Sequence, residues 1–163
     1  LDTMLFIPED IGKKSNGKIV SRIGLSADAI IIDSEYDFYS EIKKINFKKI
    51  SCIFIDEAQF ISKKQVQSLG RVADDLNIPV MCYGIRTDFQ GNLFEGSQEL
   101  LALADNLKEL KTICSMCNKK ATMVVRLDKN GNVLLKGEKV VIGGNEIYKT
   151  VCRKHFRELT KLI

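Results

Sequence analysis

The stretch Ile50-Ser51-Cys52-Ile53-Phe54-Ile55-Asp56-Glu57 decides how this chain is read. An apolar run that stops at two acids predicts a central parallel strand delivering carboxylates at its carboxyl end. Open α/β sheets bind their ligands at that edge. The residues that follow fit the same plan. Ser62 is placed to cap a helix, with Val66, Leu69, Val72, Ala73 and Leu76 along one face and Asn77 at its close. Ile78 to Ile85 then reads as a second buried strand. Strand, helix and strand together make one unit whose crossover should be right-handed.

Working outward, residues 3–7 are a short apolar run ending at Pro8, another buried strand. Residues 9–20, with Gly12, Ser15, Asn16 and Gly17, read as a loop. Ala29 to Ile32 is a further strand, and Tyr36 to Ile45 has helical spacing. Residues 86–96 carry Thr87, Asp88, Gly91, Asn92 and Gly96, a loop at the same sheet edge, and a helix starts near Ser97. The character changes after about residue 112. Met123 to Leu127 and Val133 to Leu135 flank Asn130-Gly131, a hairpin signal. The expected organisation is an α/β domain over residues 1–112 and a small β-rich domain over 113–163.

Composition narrows the function classes. The 163 residues are 45% hydrophobic and 28% charged, ordinary for a globular protein. A net charge of +4 is too mild to argue for nucleic acid as a partner. Lys43, Lys44, Lys48 and Lys49 read as a solvated face. No run approaches the roughly 18 apolar residues of a membrane span, and no secretory pattern is present. The five cysteines are unevenly placed, and three fall in C-x-x-C and C-x-x-H groupings. That pattern favours metal over disulfides and a reducing cytoplasm. Cys52 and Cys82 read as small core residues.

Cys114-x-x-Cys117 places two thiolates on one tight turn. Cys152-x-x-His155 is a second such knuckle, with residues 118–151 between them. Zinc takes four such donors in a tetrahedron, and a site filled entirely by protein is structural rather than catalytic. The alternative is two unrelated pairs of buried thiols. The chain's one histidine stands at the offset a metal knuckle requires.

Asp56 and Glu57 resemble the end of a Walker B strand, where an acid sits by a nucleotide's Mg²⁺. Two solvated acids at a strand end would look the same. The longer string Phe54-Ile-Asp-Glu-Ala-Gln-Phe60 resembles the D-E-x-Q-F signature of the zinc-containing thymidine kinases of the cellular and bacterial type. Further strings agree in order: Ser21-Arg-Ile-Gly-Leu25, Cys82-Tyr-Gly-Ile-Arg-Thr-Asp-Phe89, Leu93-Phe-Glu-Gly-Ser-Gln98, the C-x-x-C at 114, Val140-Val-Ile-Gly-Gly-Asn145, Tyr148 and Cys152-Arg-Lys-His155. The resemblance spans almost the whole chain.

The resemblance implies a P-loop (RecA-like) parallel sheet with a C-terminal zinc-ribbon and lasso domain. It implies Glu57 as the general base toward the thymidine 5′-hydroxyl and Asp56 as a holder of Mg²⁺ with ATP. Phe60, Ile85, Phe89 and Phe94 would wall the thymine pocket. Val141, Ile142, Gly143 and Gly144 match the lasso that grips the base edge, and Tyr148 would meet the nucleoside. Cys114, Cys117, Cys152 and His155 would hold structural Zn²⁺. A homotetramer, and feedback inhibition by thymidine triphosphate, are also implied. By themselves Phe60, Phe89 and Phe94 also read as core aromatics, Val141–Gly144 as a strand and turn, and Tyr148 as a ribbon surface residue.

The sequence departs from that family in two places. It contains no G-x-x-x-x-G-K-[ST] phosphate cradle. The expectation is therefore a truncated sequence whose 163 residues have no kinase activity alone. After the first strand, Asp10 and Lys13 only approximate the family's Asp-Arg pair. The competing classes are a non-enzymatic zinc-ribbon interaction module and a different P-loop ATPase with a zinc insert.

Overall fold

The computed structural model of the chain describes residues 2–21, 23–138, 141 and 147–162. Its contacts divide it into two units. One comprises Leu1–Arg86 with Phe94–Asp105, and the other Thr87–Leu93 with Asn106–Ile163. The division is thus not a single cut along the chain. Residues 87–93 leave the α/β unit and belong with the C-terminal one.

The first unit runs β1 (Asp2–Pro8), α1 (Glu9–Gly12), β2 (Lys18–Val20), β3 (Ser26–Asp28), β4 (Ile30–Ile32), α2 (Phe38–Lys43), β5 (Ile50–Ile55), α3 (Lys63–Leu76), β6 (Val80–Cys82) and α4 (Glu95–Leu103). Four strands form a parallel sheet in the order β4-β1-β5-β6, so the strand that opened the sequence reading is internal. Its Ile53 and Ile55 are fully buried, as is Phe6 of β1. Burying each such side chain contributes roughly 1.5–3 kcal/mol. Phe6, Tyr36 and Phe38 meet edge-on or tilted, with centroids 5.1–5.9 Å apart.

Local chemistry sets the helix boundaries. Asp37 accepts the Tyr39 and Ser40 amides at the start of α2. Ser62 and Gln65 form a reciprocal capping box at the start of α3. Asn77 ends α3 in the left-handed conformation, at φ 56°. Both α3 boundaries agree with the sequence reading.

Four expectations are corrected. Residues 9–20 are not all loop: α1 and β2 occur there, joined by a tight turn with Asn16 and Gly17 both at positive φ. Gly12 allows this, because its backbone lies against Ile7 and Ile31. The strand expected over Ile78–Ile85 is only three residues long and is not buried. Met81 of β6 and Tyr83 just beyond it are 47% and 42% exposed, and among the described residues β6 pairs with β5 alone. Cys52 and Cys82 are half-buried rather than core. The helix expected near Ser97 starts at Glu95.

The second unit runs β7 (Thr112–Ile113), β8 (Lys120–Ala121), β9 (Met123–Leu127), β10 (Val133–Leu134), β11 (Tyr148–Val151) and α5 (Arg153–Thr160). β7 and β8 form a small hairpin, and an antiparallel sheet has the order β10-β9-β11. The β9–β10 turn closes on Asp128, whose Oδ1 accepts the Asn130 and Asn132 amides. Val125, Val151 and Phe156 form the centre of a small core. Among the described residues no helix is long and apolar enough to cross a membrane.

Candidate active site and metal centre

β5 ends at Ile55, so Asp56 and Glu57 stand at the carboxyl edge of the parallel sheet. Both are half-buried. Glu57 has φ 51° and ψ 38°, the left-handed region that side chains beyond glycine seldom adopt. Such a conformation costs on the order of 1 kcal/mol or more and persists only where neighbours impose it. Here the chain is anchored on both sides. The Asp56 amide donates to the Phe6 carbonyl at 3.0 Å, and the Ala58 amide donates to the Tyr83 carbonyl at 2.8 Å. The residue between these two anchors is turned out of line with the strand.

A buried glutamine holds the acid. Gln59 is 3% exposed, and its Nε2 donates to Glu57 Oε2 at 2.6 Å. Its Oε1 accepts the Ile85 amide at 3.2 Å. The side-chain amide therefore links the strand-end carboxylate to the chain beyond β6. A Cβ on Gly84 would lie 2.5 Å from Gln59 Oε1, so only glycine lets the backbone pass this close. Sequence reasoning quoted Gln59 within a signature but assigned it no role.

The aromatic residues expected at the site are distributed over both units. In the first, Phe60 and Phe94 pack edge to face, with centroids 5.5 Å apart. Ile85 is 51% exposed, and its carbonyl accepts the Ser97 hydroxyl at 2.6 Å. A cleft of about 240 Å³ opens at the carboxyl ends of β1 and β4, lined by Asp10, Asp33 and Phe60 among others. A larger cavity of about 310 Å³ lies by Tyr36, Lys64 and Arg71, and neither cavity is lined by Asp56 or Glu57. The smaller cleft lies at the carboxyl edge of the parallel sheet, the edge at which β5 delivers Asp56 and Glu57.

In the second unit Phe89 is buried beneath the Arg126 guanidinium, 3.9 Å from the ring centroid. The Tyr148 hydroxyl donates to the Val141 carbonyl at 2.8 Å. Ile142, Gly143 and Gly144 lie outside the described residues.

The four metal-donor residues come together in the second unit. Cys114 and Cys117 sit in the β7–β8 turn, Cys152 caps α5, and His155 lies in its first turn. All four donor atoms lie within 4.8 Å of one another. Cys114 Sγ and Cys152 Sγ lie 3.3 and 3.5 Å from His155 Nδ1, and Cys117 Sγ lies 3.9 Å from Cys152 Sγ. A tetrahedral zinc with ordinary bond lengths requires S···S edges of about 3.8 Å and S···N edges of about 3.5 Å. The donor set therefore fits the ion. His155 Nε2 faces away, with Glu158 Oε2 at 3.9 Å, which leaves Nδ1 as the ligand atom.

The sulfurs are crowded enough to titrate apart. Burial acts to raise the Cys114 thiol, but the His155 ring and the Met116 and Cys152 amides outweigh it and bring it down to about 6. For Cys117 the Lys119 amide acts to lower it, while burial and the Cys114 and Cys152 sulfurs hold it above the ordinary thiol range.

The fold and these two sites together define a class: a parallel α/β protein with acids at its ligand-binding edge and a separate Cys₃His metal centre. Comparison with known proteins narrows it. Residues 3–156 match the family described as Thymidine kinase. The thymidine kinase of Shewanella oneidensis is 50% identical over 159 residues, which cover 97% of this chain and 82% of that protein. That of Rhodopirellula baltica is 48% identical over 159 residues, covering 97% and 75%. That of Vibrio vulnificus is 53% identical over 143 residues, covering 87% and 74%. The chain belongs to the thymidine kinase family.

Proposed function

We propose that the protein transfers the γ-phosphoryl group of ATP to the 5′-hydroxyl of thymidine, with deoxyuridine as a second acceptor, and that Glu57 is the general base. The observation carrying this reading is the Glu57 carboxylate. It stands at the carboxyl edge of the sheet, turned by a left-handed backbone and held by Gln59. A carboxylate within reach of the 5′-hydroxyl takes its proton as the oxygen attacks the γ-phosphorus. The bond to the β–γ bridging oxygen breaks, and ADP leaves with that electron pair. Phosphoryl transfer asks mostly for positioning and charge neutralisation. Asp56 would hold the Mg²⁺ that supplies part of that neutralisation.

Nucleoside recognition falls to Phe60, Ile85, Phe89 and Phe94, with Val141–Gly144 and Tyr148. The Cys114, Cys117, Cys152 and His155 cluster would hold Zn²⁺ in a closed site that orders its surroundings and takes no part in chemistry. The same reading carries a cytoplasmic homotetramer and inhibition by thymidine triphosphate. The absence of a phosphate cradle from the 163 residues assigns them nucleoside binding without phosphoryl transfer by themselves. Calorimetric titration of the chain with thymidine tests the acceptor site, with saturable binding expected. Phosphorylation of thymidine by the protein expressed from its complete coding sequence tests the reaction. No binding to the first and no thymidine monophosphate from the second would end this reading.

A further inference from the structure

Arg126 is the most unusual buried group in the second unit. It stands in the middle strand β9, opposite Leu134 of β10 and Tyr148 of β11, and is 4% exposed. No carboxylate pairs with it among the described residues. Its Nε is buried without a partner there. Burying a cation without a counter-charge is costly, and an apolar residue would serve the sheet better. What the guanidinium does contact is specific. Its guanidinium carbon lies over the Phe89 ring, 3.9 Å from the centroid. Nη1 donates to the Glu138 carbonyl at 2.5 Å, and Nη2 reaches the Lys136 carbonyl at 3.5 Å.

The stretch it grips has further restraints. Gln90 Nε2 donates to the Leu135 carbonyl at 2.9 Å. Gly137 has φ 135°, and a Cβ there would lie 2.3 Å from Arg126 Nη2. The carbonyls of residues 135, 136 and 138 are thus each held by a side chain from residues 87–93 or from β9. Residues 135–138 lead in sequence into residues 139–146. At the far end of that segment the Leu127 amide donates to the Ile147 carbonyl at 2.8 Å. Both flanks of the segment are therefore tied to neighbouring residues of one strand, Arg126 and Leu127.

We infer that Arg126 is a positioning residue for nucleoside recognition, locking the Phe89 ring to residues 135–138. The inference rests on the reading of Phe89 as a thymidine contact. The planar fork explains why arginine stands here. Lysine would keep the charge but lacks the planar fork that covers an aromatic face and reaches two carbonyls from separate nitrogens.

The test uses three variants: Arg126→Met, Arg126→Lys and Gly137→Ala. The last keeps the arginine and displaces its Nη2. Zinc content and thermal unfolding are measured beside thymidine affinity. In the protein expressed from its complete coding sequence, KM and kcat are measured for both substrates. Arg126→Met and Gly137→Ala should weaken thymidine binding about tenfold, the scale of one lost charged contact. The thymidine KM should rise alike, with kcat within about threefold and the ATP KM unchanged. Arg126→Lys should recover only part of the loss.

Equal thymidine affinity in all variants would overturn the inference while leaving the kinase reading intact. So would losses of affinity that merely track lost zinc or a lowered melting temperature, or a fall in kcat matching the rise in KM. Failure of the unsubstituted chain to bind thymidine would instead remove the functional reading on which the inference stands.

Discussion

The two units are held together by different means. The first has an apolar core: Phe6, Phe38, Ile42, Ile53, Ile55 and Val72 are all at 0–1% exposure, with α3 packed over them. In the second, the core cluster of Ala121, Val125, Leu127, Val151 and Phe156 includes Cys114 and Cys152, two of the four metal donors. One unit separates its fold from its chemistry, so a strained acid can sit at the edge of a well-packed sheet. The other builds its candidate metal donors into its interior, so losing an ion bound there would loosen the fold as well.

The largest expected effect comes from breaking the second unit's metal centre. Chelation, or Cys152→Ser, should remove structural stabilisation on the order of 10 kcal/mol from that unit. Amide exchange over β9 and β11 should accelerate steeply, while β1 and β5 stay protected. Equal protection with and without zinc would erase the contrast. Next is Glu57→Gln in the protein expressed from its complete coding sequence. kcat should fall by about 10²–10⁴-fold with the melting temperature unchanged, as for loss of a general base at an edge rather than a core. Retained turnover would show that the acid is a solvated strand end.

A smaller effect tests the apolar side of the comparison. Leu69 of α3 is 3% exposed, and Leu69→Ala should cost roughly 2–5 kcal/mol in chemical denaturation. Zinc content should not change. The smallest effect is at the cap of α2. Hydrogen bonds from Ser40 and then Ser68 hold the Asp37 carboxyl below its ordinary value. A carboxyl lowered by folding stabilises above its unfolded pKa of 3.8 and loses that contribution as pH falls through its folded value. Asp37 is the side chain that caps α2, and Asp37→Ala should cost about 1 kcal/mol at pH 7. The difference from the unsubstituted chain should shrink as pH falls below 3.8; a constant difference across the acid range would separate the effect from the carboxylate.

Features governed by neighbouring residues were legible in the chain. β5 was readable because an apolar run interrupted by acids has few other solutions. The α3 boundaries were readable because Ser62 and Asn77 satisfy helix ends by contacts within one turn. The same logic explains where reading went astray. The apolar content of Ile78–Ile85 reports strand propensity but not whether other elements cover the strand. The loop placed over 9–20 was judged by glycines and polar residues. Gly12 instead permits close packing against Ile7 and Ile31, residues that local pattern cannot pair with it.

By itself the sequence determined the donors of the metal centre and the acids of the sheet edge, because side-chain chemistry and short spacing are local properties. It also carried the family resemblance, which the match over residues 3–156 bears out. Only the tertiary structure decided how those groups are held. Gln59 bridges Glu57 and Ile85, Arg126 covers Phe89 from 37 positions along the chain, and residues 87–93 join the C-terminal unit. Each depends on segments far apart in sequence meeting in space. Such meetings are fixed by packing and backbone hydrogen bonding across the whole unit, and no window of sequence records them.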